Sequence, residues 1–172
     1  RIDLVLNFAY ICEVSESEKI DMGNSIANNQ ESMEDIIIEA PEQRSSIVCV
    51  IDSGIQEKHK YLDSAIIADE SVSLVPNDTD TNDHVRYGGH GTRVAGAILY
   101  PRSIPRQGRY QLPCYIRNLR VLNADNCMPV EIYPPKAIEM AVKLFNGETN
   151  MPSKIYNHSI GTRKSCEIKH MT

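Results

Sequence analysis

Between residues 46 and 160 the chain alternates short apolar runs with stretches of helical periodicity. Residues 46–51 end in Ile47-Val48-Cys49-Val50-Ile51, an unbroken and mostly β-branched run. A run of that kind fits a strand buried on both faces of a parallel sheet. Asp52-Ser53-Gly54 breaks it. Residues 91–99 carry Val94, Ala95, Ala97, Ile98 and Leu99, apolar almost all round, with Pro101 as the stop. They predict a buried helix. Residues 115–122 read as a strand. Residues 135–146 predict a second helix, with Pro135 at its first position and Ile138, Ala141, Val142 and Phe145 on one face. Gly147 is placed to cap it. Residues 154–160 read as a further strand. Strands alternating with helices argue for an α/β fold, a mostly parallel sheet flanked by helices. Ligand sites in such sheets lie at the carboxyl ends of the strands. Asp52 stands at one such end, and Ser159, Ile160 and Gly161 at another.

The remaining segments are less regular. Residues 2–8 put Ile2, Leu4, Leu6 and Phe8 on one side and Asp3, Val5 and Asn7 on the other, a half-buried strand signal. Residues 13–29 are polar, acidic and rich in Ser and Asn, as a linker would be. Residues 33–38 fit a short strand or a helical turn ended by Pro41. Within residues 57–69, Ala65-Ile66-Ile67 is a short strand candidate. Residues 76–83 form a polar, turn-rich loop. Residues 101–113 hold three prolines and basic side chains, which suggests an exposed loop. Residues 1–45 are therefore left as an unassigned amino-terminal segment, and 46–172 as the domain proper. The chain opens on Arg1 and is expected to be a piece of a longer protein.

Composition narrows the function. The net charge of −5 and the lack of a Lys/Arg stripe with interleaved aromatics argue against nucleic acid. No run of about 20 apolar residues exists, so no membrane span is expected. Five cysteines, at 12, 49, 114, 127 and 166, give an odd count with no C-x-x-C pair. They are expected as free thiols in a reducing, cytoplasmic setting.

Asp52 closes an apolar strand, and His90 opens an apolar helix within Gly88-Gly-His-Gly-Thr-Arg-Val-Ala-Gly96. A serine hydroxyl is a poor nucleophile until a base takes its proton. A histidine titrates near neutrality and suits that task. A buried carboxylate beside it fixes its tautomer and stabilises the imidazolium that forms. Asp52 and His90 are thus two thirds of a nucleophilic triad, in the order acid then base.

Val50-Ile-Asp-Ser-Gly-Ile55 resembles the aspartate motif of the subtilisin-like serine proteases, and Gly89-His-Gly-Thr-Arg-Val-Ala-Gly96 resembles their histidine motif. Arg120-Val-Leu122 with Asn123-Ala-Asp125 is similar to the strand and turn that follow. Asn157-His-Ser-Ile-Gly161 is similar to the family's Asn-x-Ser-Leu-Gly stretch. The resemblance covers about residues 46–165. It implies a subtilisin-like fold, incomplete in this chain, and hydrolysis of peptide bonds in a protein or peptide substrate. Asp52 would orient His90, His90 would act as general base and then acid, and Ser159, Ile160 and Gly161 would form one wall of the substrate groove. The family's serine motif, Gly-Thr-Ser-Met-Ala-x-Pro, is absent. Gly161-Thr162-Arg163 begins it without the serine, and Ser165 does not match. Asn157 precedes Ser159 and is not the oxyanion residue. The chain alone is expected to be inactive and to need the remainder of its own catalytic domain as partner. The alternative is a non-catalytic peptide-binding module that keeps the fold.

No cofactor is required for this chemistry. Asp78-x-Asp80-x-Asn82 has the spacing of a calcium loop, but Asp83 stands where an EF-hand needs glycine and no closing Glu follows. It reads as a solvated loop; calcium is the alternative, since subtilases often bind it. His158, Cys166 and His170 fit no standard zinc spacing. Arg102, Arg106 and Arg109 read as a solvated face.

Overall fold

The computed structural model describes residues 36–85, 89–147 and 152–161. The chain divides into two compact units, Arg1–Ser32 and Met33–Thr172, and every element below belongs to the second. The strand expected at 2–8, the linker at 13–29, Ser165, Cys166 and His170 lie outside the described residues.

Among the described residues six strands and two helices follow one another. They are β1 (Ile36–Glu39), β2 (Ile47–Asp52), β3 (Val72–Ser73), α1 (His90–Leu99), β4 (Gly108–Gln111), β5 (Tyr115–Arg120), α2 (Pro134–Asn146) and β6 (Ile155–His158). Two 3-10 turns, Asp63–Ala65 and Ala68–Glu70, precede β3. One sheet has the order β3-β5-β2-β6 with every described pair parallel. β1 and β4 form a separate parallel pair. This is the α/β arrangement that the alternation of strands and helices predicts.

β2 sits inside the sheet, and all six of its residues are buried. Successive side chains of a strand point to opposite faces. Val48 and Val50 accordingly join a cluster with Ala95 and Leu99 of α1. Cys49 and Ile51 join another with Ala137, Ala141 and Phe145 of α2. The two helices therefore cover opposite faces, which is why the β2 sequence reads as an unbroken apolar run. Asp52 has the parity of Val48 and Val50, so it belongs to the α1 face.

Several elements differ from their sequence reading. α1 is not buried all round: Gly91, Ala95 and Leu99, spaced by four, take the sheet side, while Arg93 and Ala97 are exposed. On α2 the buried line is Ala137, Ala141 and Phe145, and Ile138 and Val142 stay partly outside. Small side chains let a helix approach a sheet closely, so the alanines turn inward and the branched residues flank them. Gly147 ends α2 with φ −80°, not in the left-handed conformation of a glycine cap. Ile66 makes only an isolated bridge to Ile116. The 101–113 segment contains β4, whose register with β1 pairs Glu39 with Gln111. Arg109 there bonds Glu39. Of the 33–38 segment, the described residues Ile36, Ile37 and Ile38 belong to the strand β1.

β5 carries two arginines, Arg117 and Arg120, whose burial the sequence reading did not foresee. Arg117 faces α2 and donates to Glu70, to the Phe145 carbonyl and to Ser153 Oγ. Its guanidinium lies over the Phe145 ring, 5.5 Å from the centroid. Arg120 donates to Asp78 Oδ2 at 2.8 Å and to the Asp80 and Leu122 carbonyls. A buried cation requires such partners, because leaving water unpaired costs several kcal/mol.

Candidate active site

Two residues build the centre of the site. Asp52 is the last residue of β2, its side chain turned toward α1 and 1% exposed. His90 is the first residue of α1. Its Nδ1 lies 2.9 Å from both Asp52 Oδ1 and Oδ2. A carboxylate only accepts, so Nδ1 carries the proton and Nε2 keeps its lone pair. Nε2 has no hydrogen-bond partner among the described residues, and the His90 side chain is 43% exposed. The imidazole therefore has one nitrogen locked to a buried acid and the other open to whatever approaches. Asp52 Oδ1 also accepts the Ser53 amide at 2.7 Å, and the Asp52 carbonyl accepts from the Val121 amide. Backbone donors of this kind hold a carboxylate in place without a second charge.

Two glycines allow the strand end and helix start to meet. Gly54 turns the chain at φ +102° and lies directly under the Thr81 and Asn82 carbonyls. Gly91 sits against the same turn: a Cβ there would stand 2.2 Å from the Gly54 carbonyl oxygen and 3.1 Å from the Asp52 Cβ. A methyl at 91 would push α1 away from β2 and carry His90 with it. Gly91→Ala is expected to lower the unfolding free energy by about 3 kcal/mol, since overpacking against backbone cannot relax by a rotamer change. Urea unfolding checks this; a loss below about 1 kcal/mol would mean that the helix retreats freely.

Ser159, Ile160 and Gly161 follow β6. The register that sets Ile51 beside His158 brings them to the same end of the sheet as Asp52. Ser159 Oγ donates to Asn157 Oδ1 at 2.7 Å. Ile160 and Gly161 line a cavity of about 850 Å³ with Leu122, Met128, Tyr133 and His158. Neither Asp52 nor His90 lines it. A cavity of about 570 Å³ opens instead between the 43–47 segment and Pro152, Lys154 and Ile155, at the starts of β2 and β6.

Each carboxylate oxygen of Asp78 and Asp80 has a partner in the protein, although both side chains stay partly exposed. Asp78 Oδ1 accepts the Asp80 amide, and its Oδ2 meets Arg120. Asp80 Oδ1 accepts the Asn82 amide, and its Oδ2 lies 2.8 Å from His84 Nε2. These bonds, the Asn82 amide first and the His84 ring second, hold the Asp80 carboxyl down at about 2. Asp78 thus faces a guanidinium and Asp80 an imidazole. Among the described residues no group of three His, Cys, Asp or Glu could hold a metal, and no described helix is long and apolar enough to cross a membrane.

Cys49, Cys114 and Cys127 are free thiols, the first two buried and the third exposed on the rim of the larger cavity. Burial pushes the Cys49 thiol up to about 12, against an opposing pull from Arg117. At pH 8 iodoacetamide should alkylate Cys127 at least about 100-fold faster than Cys49, because the thiolate is the nucleophile. Mass mapping of the native chain reads the ratio; equal rates would show that β2 opens readily.

The class of this chain is thus an α/β domain whose parallel sheet holds an acid at a strand end against a histidine at a helix start. The chain belongs to the subtilase family, peptidase S8, whose family model matches residues 43–170. Membership makes this a serine peptidase-like domain. No curated protein matches the chain. The sequence reading singles out Asp52 and His90 through their motifs, and the structure brings the two side chains together. That reading gives no role to Ser53, Asp83 and Gly91, whose contacts join segments distant in sequence. Asp83 could have been suspected as an acid seven residues before the histidine, but a polar loop gives no reason to single it out.

Proposed function

We propose that this chain is the amino-terminal part of a serine endopeptidase catalytic domain, working in a reducing, cytoplasmic compartment and needing no cofactor. The observation that carries the reading is the 2.9 Å contact between His90 Nδ1 and the buried Asp52 carboxylate, with Nε2 left open. Asp52 holds the ring in the tautomer whose Nε2 can accept a proton. His90 takes the proton of a serine hydroxyl as that oxygen attacks the scissile carbonyl, then gives it to the leaving amine. Water repeats the cycle on the acyl-enzyme. Ser159, Ile160 and Gly161 form one wall of the groove in which the substrate peptide lies extended.

The serine and the oxyanion donor come from the remainder of the domain, since none of the 172 residues presents the serine motif. A fluorophosphonate probe tests the proposal. The full-length parent is expected to be labelled at a serine, with labelling lost in His90→Ala. A well-folded parent that takes no label would favour the peptide-binding module.

A further inference from the structure

Ser53 and Asp83 stand immediately behind the acid–imidazole pair. Both are buried, Ser53 wholly and Asp83 to 6% exposure. The Ser53 hydroxyl has one proton and two carboxylates within reach, Asp83 Oδ2 at 2.8 Å and Asp52 Oδ1 at 3.1 Å. Its oxygen also accepts the Gly91 amide at 3.1 Å. We propose that Asp83 is a positioning residue for the Asp52–His90 pair, acting through the Ser53 hydroxyl. The inference rests on the reading of Asp52 and His90 as acid and base.

Donor and acceptor counting supports it. The shorter contact draws the Ser53 proton to Asp83. With the proton there, the Ser53 lone pairs face the Gly91 amide, one of the first-turn donors that a helix cannot satisfy internally. The N-cap residue, Gly89, has no side chain to do that work. Ser53 therefore fastens the residue next to His90 onto the β2 turn. Asp52 Oδ1 is spared a second donor from residue 53. It already takes the Ser53 amide, and its remaining capacity points at His90. Were the hydroxyl to turn to Asp52, it would compete with the imidazole for the same oxygen.

Asp83 is itself held in place. Its Oδ1 accepts the Val85 amide, and its carbonyl accepts from Gln56 Nε2 at 2.7 Å. The Ile55 amide donates to the Thr81 carbonyl, and Glu57 accepts from Thr81 Oγ1, so the 81–85 loop is docked on the turn after β2 at several points. The bland alternative is that Asp83 only anchors this loop. The two differ in what the Ser53 hydroxyl does. An anchor acts on His90 with or without that hydroxyl; a relay acts only through it.

The 172-residue chain suffices for the test. The ¹⁵N shifts of the neutral His90 ring report its tautomer, and exchange of the Gly91 amide reports the helix start. Asp83→Asn is expected to lower the Nδ1–H to Nε2–H tautomer ratio about tenfold and to raise Gly91 amide exchange about tenfold, the scale of losing a charge-assisted hydrogen bond. Ser53→Ala is expected to raise Gly91 amide exchange alike but to leave the tautomer ratio unchanged, since no hydroxyl remains to compete for Asp52, and Asp83→Asn added to it changes neither signal further. If Asp83→Asn alone fails to fold, Asp83→Ser takes its place with the same expected changes. Unchanged His90 and Gly91 signals in the folded Asp83 variant, or an unchanged Gly91 signal in folded Ser53→Ala, would overturn the proposal, as would a tautomer change that persists when the two substitutions are combined. Asp52→Asn is the control. A ring unaltered by that substitution would overturn the acid–base reading, and this inference with it, whereas an altered ring beside an inert Asp83 overturns the inference alone.

Discussion

Under the proposed function, Asp52→Asn in the full-length parent is expected to lower kcat about 10⁴-fold while leaving KM within a few-fold. The asparagine would fill the same space at the end of β2 and still bond the ring. An amide, however, can turn its NH₂ toward Nδ1, and the ring then carries its proton on Nε2. That nitrogen faces outward, where the serine must deliver its own proton, so the base is blocked. A carboxylate cannot make this error, because it has no donor to offer. Among the described residues no other acid bonds the His90 ring, so none takes over the place of the Asp52 carboxylate. Steady-state kinetics on a peptide substrate reads the effect, with circular dichroism to show the variant folded. A loss smaller than tenfold would mean that Asp52 is a structural acid and that His90 is oriented by something else.

The second large effect concerns stability and comes from a residue on the rim. Glu70→Ala is expected to destabilise the fold by about 3 kcal/mol, although Glu70 itself is 40% exposed. The reason is its partner. Arg117 is fully buried and cannot follow Glu70 into solvent. Without Glu70 its guanidinium keeps only the neutral oxygens of Ser153 and the Phe145 carbonyl. An uncompensated charge would then remain between β5 and α2. Arg117→Met introduced together with Glu70→Ala removes the charge and fills much of the space. The double variant is expected to recover at least about 2 kcal/mol of the loss, as replacing a buried ion pair by apolar side chains is often close to neutral. Chemical denaturation of the four proteins forms the cycle. If the double variant is as unstable as Glu70→Ala, packing rather than charge sets the cost.

The legible parts of this fold are those in which one local signal decides. The apolar run from Ile47 to Ile51 announces a strand covered on both sides, and β2 is that strand. Pro101 ends the first helix close behind Leu99, and prolines open the second. Asp52 and His90 stand out because a motif surrounds each of them. Less legible is anything set by what lies across a gap. The inward face of α2 follows from how closely alanines let it approach the sheet, so Ile138 and Val142 remain on its flank where helical periodicity had placed them inside. The burial of Arg117 and Arg120 has no local signal, because it depends on the loops carrying Glu70, Asp78 and Asp80. β4 hides in a segment rich in proline and arginine because its partner, β1, is about 70 residues away. Asp83 is one acid among several until Ser53 is seen to choose it.

The alternation along β2 also bears on how this gene can change. Val48, Val50 and Asp52 look one way; Cys49 and Ile51 look the other. Exchanging one aliphatic residue for another within the strand alters fit but leaves the carboxylate aimed at the imidazole. Adding or deleting a single codon between Ile47 and Asp52 would not be a small change at all. It would send the acid to the opposite side, among the alanines of α2, and expose an aliphatic residue to His90. Divergent copies of this segment should therefore vary in spelling while keeping strict count.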